Sequence, residues 1–332
     1  MRRPLLPLVL VAAVAVLVAV ATLDRSAPTG PDRGTDHGSD DAGVPAPLQV
    51  ASGPDAESGL LAHVLVALLD LQGVAAEVVT FSDPRDTRQA LVRDDVQLRP
   101  AYTGEAWLET LGRADPPGDP QASFEEVRTH DLQEGLVWFR PRFLEGVDQP
   151  PANATFAFVV AGPPWVDADL ATMSQLASRL SAQRDATLCV DPEFAARPDG
   201  LRAVLAAYSV RSDQPVLAAR PTEAIRGVVA GDCIAALTTA TDGAAWGAGL
   251  RPLVDDLAVF PAFVVLPHVR RDAMLTRPEL GGAISPMASQ LTTALLGRLN
   301  AEVSAGRPLE EVAADGAWEL LERAGRAPVR QP

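Results

Sequence analysis

Lysine is absent from the 332-residue chain, so every one of its 28 basic side chains is arginine, set against 43 acidic residues for a net charge of −15. A nucleic-acid binder needs a basic stripe, and none is visible. Histidine is almost as scarce. His37, His63, His130 and His268 are scattered, with no His-x-x-x-His or His-Glu spacing that would suit a metal. A Gly-x-Ser-x-Gly elbow and a phosphate loop are also missing, which removes the usual signs of an enzyme and of a bound cofactor. Only two cysteines occur, Cys189 and Cys233. Both lie in apolar runs that read as neighbouring strands, where they form either a disulfide or two buried thiols. A bridge there would contribute about 3–4 kcal/mol through loop closure.

What is present is hydrophobic material, 47% of the chain, enough to give each of two domains a core. Arg2-Arg3 followed by the uncharged run Leu5 to Leu23 reads as an export signal, with a small-residue cleavage site at Ala19-Val-Ala21. The run is also long enough to remain as a membrane anchor. The expected location is therefore extracytoplasmic, either released or held at the cell surface by residues 1–23. Residues 24–46, rich in Gly, Pro, Ser, Thr and Asp, read as a disordered linker.

From Pro47 onward strands alternate with helices. The spacing predicts strands at 48–52, 75–81, 96–102, 136–139, 155–160, 186–190 and 232–239. Helices are expected at 57–71, 82–92, 123–133, 169–183 and 221–230, then throughout the chain from Arg270. The apolar run 257–266 would carry the chain back to the first domain. This order predicts an α/β protein of two lobes joined by two crossings, with parallel-rich sheets, flanking helices and a hinged cleft. Lobe 1 takes residues 47–153 and 258–332, and lobe 2 takes 154–257.

Five stretches, in order, carry a resemblance. Arg99-Pro-Ala-Tyr-Thr-Gly-Glu105 is similar to a family pattern Tyr-Pro-Glu-Tyr-Thr-Gly-Thr. Ala154-Thr-Phe-Ala-Phe158 resembles Asn-Thr-Tyr-Ala-Leu. Asp191-Pro-Glu-Phe-Ala-Ala-Arg-Pro-Asp-Gly-Leu201 matches Asp-Pro-Glu-Phe and Arg-x-Asp-Gly-Leu. Ala240-Thr-Asp-Gly243 looks like Ser-Thr-Asp-Gly, and Phe260-Pro-Ala-Phe-Val264 looks like Phe-Pro-Pro-Tyr-Tyr. Together they resemble the osmoprotectant (glycine betaine, carnitine and choline) substrate-binding proteins of ABC transporters, which implies the type II periplasmic-binding-protein fold. The implied partners are a small quaternary amine, an ABC permease and its ATPase.

The resemblance also implies a cage of aromatic faces around a trimethylammonium head. A quaternary ammonium has no N–H to donate, so attraction to ring faces, about 0.5–2 kcal/mol each, is the specific interaction left to it. Carried over by position, the cage is Tyr102, Phe156 and Phe263, with Thr103 and Thr239 beside it and Arg197 as a carboxylate clamp. Arg197 reads equally as half of an ion pair with Asp199 or Glu193. The chain departs from the pattern near its first helix. Where the family has Gly-Ser-Lys-x-Phe-Thr-Glu it reads Ala51-Ser-Gly-Pro-Asp-Ala-Glu57, and Glu105 replaces a threonine. One cation is lost, and Asp55 and Glu105 become candidate ligand groups, although both also suit helix starts. These changes favour a cation without an acid group, choline being the familiar example. The alternative is an anchored sensor or interaction module on the same fold with a degenerate cleft.

Overall fold

The computed structural model describes residues 46–141, 150–162, 170–211 and 213–327. The signal or anchor expected at 1–23 and nearly all of the expected linker lie outside them. Among the described residues no helix is long and apolar enough to cross a membrane. In chain order the first elements are β1 (Leu48–Ser52), α1 (Ala56–Asp70), β2 (Ala76–Thr80), α2 (Pro84–Arg93), β3 (Leu98–Tyr102), α3 (Thr103–Glu109), α4 (Pro120–Gln133) and β4 (Leu136–Trp138). Next come β5 (Phe156–Ala161), α5 (Met173–Ala182), β6 (Leu188–Val190), α6 (Pro192–Ala196), α7 (Leu201–Ala207), β7 (Val216–Ala218), α8 (Pro221–Ala230), β8 (Ala235–Thr239), α9 (Gly243–Gly247) and β9 (Leu250–Pro252). The chain ends in β10 (Val265–Arg270), α10 (Arg271–Thr276), α11 (Glu279–Gln290), α12 (Thr293–Ser304) and α13 (Leu309–Arg323).

Two five-stranded sheets result, ordered β2-β1-β3-β10-β4 and β7-β6-β8-β5-β9. Each begins as a parallel β-α-β set, β2-β1-β3 and β7-β6-β8. Each is then completed by the strand that arrives from the other lobe, β10 or β5, which runs antiparallel to both of its neighbours. Each sheet is thus parallel-rich but mixed, its one reversed strand being the one that enters by crossing between lobes, with no crossover helix to turn it round. The run 257–266 is strand only from Val265. Ala258 sits at φ 52° and Pro261 has no N–H to give a ladder, so the first part turns at the crossing instead.

Local signals place the helices that matter for the cleft. Asp55 caps α1, accepting from the Ser58 N–H at 2.8 Å, and the apolar Leu60, Leu61, Val64, Leu65, Leu68 and Leu69 are all buried in the core of the first lobe. Tyr102 is both the last residue of β3 and the N-cap position of α3, so its ring is presented where a strand end meets a helix start. In the second lobe Phe158, Leu176, Leu188 and Val204 fill a separate core.

Cys189 in β6 and Cys233 just before β8 form a disulfide, with Cα atoms 5.7 Å apart and a sequence separation of 44. A loop of that size corresponds to about 4 kcal/mol of chain entropy removed from the unfolded state. A Cys189→Ala/Cys233→Ala variant is expected to lose roughly that much in urea denaturation under oxidising conditions. In a reducing buffer the two proteins should unfold together, and a gap that persists there would mean that packing, not the bridge, carries the effect.

Candidate functional site

The chain passes between the lobes at 153–156 and again at 260–264, and the two passages are stitched together. The Asn153 side chain accepts from the Phe263 N–H at 2.7 Å, the Ala154 N–H donates to the Phe263 carbonyl at 3.0 Å, and the Thr155 hydroxyl donates to the Pro261 carbonyl at 2.5 Å. Phe156 therefore enters lobe 2 from this junction, opposite Thr239 in the β5–β8 ladder. Phe263 lies against Gly104, where an added Cβ would meet its ring at 2.6 Å, so only glycine lets the ring sit two residues beyond Tyr102.

The residues singled out from the sequence have different tasks. Phe156 is 38% exposed, and its ring neighbours are Phe194 at 5.2 Å and Phe260 at 6.5 Å, a trio belonging to lobe 2. Tyr102 is half-buried and donates its hydroxyl to Glu57 at 2.8 Å. Thr239 lines a cavity of about 250 Å³ together with Glu57, Thr241, Asp242 and Asn300. Thr103, however, is fully buried and shares its hydroxyl with the Ala262 carbonyl and the Val264 N–H, so it fastens α3 to the crossing and is shielded from any guest.

Arg197 is engaged by Asp199 through both carboxylate oxygens and lies with its guanidinium 5.7 Å from the centre of the Phe194 ring. The ion pair, the plainer of the two readings of this residue, is the one that forms. That hydrogen bond holds the Arg197 guanidinium above its ordinary range and the Asp199 carboxyl below its own. The pair is about half exposed and adds little stability. Asp55 is spent on its helix cap. Glu105 accepts from Arg99 at 3.4 Å, so the arginine behind β3 neutralises it.

Arg99 belongs to a charge network under the site. The fully buried Asp131 of α4 accepts from Arg88 at 2.6 Å and from the Trp138 indole at 2.7 Å, and lies 3.1 Å from Nε2 of the fully buried His268. The other imidazole nitrogen faces Arg99 at 3.5 Å, and Arg99 also donates to Thr87 at 2.6 Å. Burial between two arginines lowers the His268 pKa to about 4, so the ring is neutral at pH 7, with Nε2 3.1 Å from the Asp131 carboxylate. Burial opposes ionisation of Asp131, but His268 and Arg88 outweigh it and hold the carboxyl well below the usual range.

Glu57, Asn300, Phe194 and Phe260 complete the site. Glu57 opens the first turn of α1, and its second oxygen accepts from the Asn300 amide of α12 at 2.6 Å. That amide also donates to the Thr241 carbonyl of lobe 2 at 2.9 Å, bridging the lobes. Alongside, α9 lies directly on α12: a Cβ at Gly243 would fall on the Asn300 carbonyl, and one at Gly297 on the indole of Trp246. Phe194 was legible within the Asp-Pro-Glu-Phe motif and Phe260 within Phe-Pro-Ala-Phe. Asn300 carries no local signal, since only the tertiary fold brings α12 to the cleft.

Two α/β lobes, two crossings and ring faces at the crossing define a periplasmic-binding-protein-like solute receptor. The chain belongs to the family described as the substrate binding domain of ABC-type glycine betaine transport systems, whose profile matches residues 46–316. This is a family of transport proteins and not of enzymes. A glycine-betaine-binding protein of Pseudomonas aeruginosa is 28% identical over 288 residues, covering 81% of this chain and 86% of its own. Among solved structures, apo YehZ from Escherichia coli superposes with a TM-score of 0.74 at 25% identity, covering 85% of this chain and all of its own. A glycine betaine/carnitine/choline ABC transporter structure gives 0.71 at 21% identity, covering 84% and 99%, and supports the fold.

Proposed function

We propose that this protein binds a small quaternary-ammonium solute of the choline type outside the cytoplasm and delivers it to an ABC permease and its ATPase, with residues 1–23 directing its export. The observation that carries the reading is the exposed face of Phe156, held at the lobe crossing by Phe194 and Phe260. A large ring is left open beside the junction, and such a face attracts a cation that cannot hydrogen-bond. A guest without an acid group is favoured because Arg197 is already paired with Asp199 and Arg99 is spent on Glu105, Thr87 and His268. A solute carboxylate would have to displace one of those partners.

Titration calorimetry tests this on the mature protein. Choline is expected to bind at least tenfold more tightly than glycine betaine, and Phe156→Ala to weaken choline by on the order of tenfold. Tight glycine betaine binding with no heat from choline would overturn the ligand choice while leaving the family membership standing.

A further inference from the structure

The acids around the cleft differ in what they are bound to. Asp55 is spent on the Ser58 N–H. Glu105 faces Arg99, and Asp242 accepts from Thr238 and from the first N–H groups of α9. Glu57 has neither a cation, as Glu105 has, nor helix-start N–H groups, as Asp55 and Asp242 have. Its donors are the Tyr102 hydroxyl at 2.8 Å, the Asn300 amide at 2.6 Å and the Thr241 hydroxyl, all of them neutral. Burial raises its pKa, the effect expected of a carboxyl withdrawn from water without a compensating cation. Three donors fix where the carboxylate lies, and the partner that would balance its charge has to come from the cavity that it lines with Thr239 and Thr241.

We propose that Glu57, held in place by Tyr102 and Asn300, is the residue whose charge makes this cavity select cations over neutral guests of the same shape. The proposal rests on the quaternary-ammonium reading above and names the group that decides it. The Tyr102 hydroxyl holds the Glu57 carboxylate at the wall of that cavity by its hydrogen bond. The same hydrogen bond fixes the Tyr102 ring in orientation. Glu57 thus supplies, at the cavity wall, the negative charge that a cationic guest neutralises. A neutral guest gains the shape of the cavity and nothing from the carboxylate.

The experiment compares choline with its uncharged carbon isostere, 3,3-dimethylbutan-1-ol, on wild type, Glu57→Gln and Tyr102→Phe. Glutamine keeps an acceptor for the tyrosine but removes the charge, and phenylalanine keeps the ring but cuts the link. The expected result is that E57Q weakens choline by on the order of tenfold and Y102F by less, while the alcohol changes by less than about twofold in both. Should E57Q fold poorly in thermal unfolding, Y102F alone carries the comparison. Equal weakening of both guests would show a merely structural role and overturn the proposal, as would unchanged binding of both. A wild type that prefers choline to glycine betaine yet holds the alcohol as tightly as choline overturns this proposal only. A wild type that binds neither guest overturns the functional reading as well.

Discussion

Replacing Asp131 by alanine is expected to cost the first lobe about 3–5 kcal/mol, the penalty for leaving buried charges without their partner. Arg88 would keep only Glu134, the Trp138 N–H would lose its acceptor, and His268 would lose the carboxylate 3.1 Å from its Nε2. Chemical denaturation at pH 7 measures the loss, and a change below 1 kcal/mol would show that water enters and replaces the carboxylate. The same network sets a pH dependence. His268 has its pKa lowered from 6.5 to about 4, so it contributes stability that is complete above pH 6.5 and is lost as pH falls toward 4, because the unfolded chain takes up a proton that the native ring refuses. Asp131, also depressed, continues the loss below pH 4. The first part of this decline is on the order of 3 kcal/mol. Unfolding curves that coincide between pH 7 and pH 4.5 would refute a buried neutral histidine.

Gly243→Val is expected to act on the relation between the lobes. An added Cβ meets the Asn300 carbonyl, which is helix backbone and cannot swing aside, so α9 must lift from α12. Overpacking of this kind costs about 1–3 kcal/mol. The functional effect should be larger than the loss of stability suggests, since the displaced contact carries the Asn300–Thr241 bridge and, through Asn300, one of the donors to Glu57. Small-angle X-ray scattering should show a more extended particle, and calorimetry a weakened guest. Gly282→Ala is the control: it also lies in a helix, but with open space around it, and should leave stability unchanged or raise it by roughly 0.5–1 kcal/mol. A wild-type scattering profile for the Gly243 variant would mean that the seam yields without moving the lobes.

The alternation of strands and helices was legible because each element carries its own period and its own stop. The α8 helix runs from Pro221 at its first position to Gly231 at φ 82°, and the bounds read from the sequence coincide with those observed. The strands β7 and β9 were missed: both lie at sheet edges, and β7 is exposed throughout, so its residues carry no burial pattern. The direction of β5 and β10 could not be read either, since antiparallel entry follows from the crossing and not from composition. For the proposed site, Tyr102, Phe156 and Phe263 were singled out through motif order. What the sequence could not show is which acid a cation reaches. Asp55, Glu57 and Glu105 look alike in a list of residues, and only tertiary structure reveals that Arg99 reaches Glu105 while three neutral donors reach Glu57.

The contact of α9 with α12 has a consequence for traffic. With the domains pinned along one flank by glycines that admit no spacer, and joined by two strands at their base, the freedom left to them resembles that of a book on its spine. If the protein carries a solute as proposed, the edge opposite that flank is the one through which the solute would pass without breaking the α9–α12 contact.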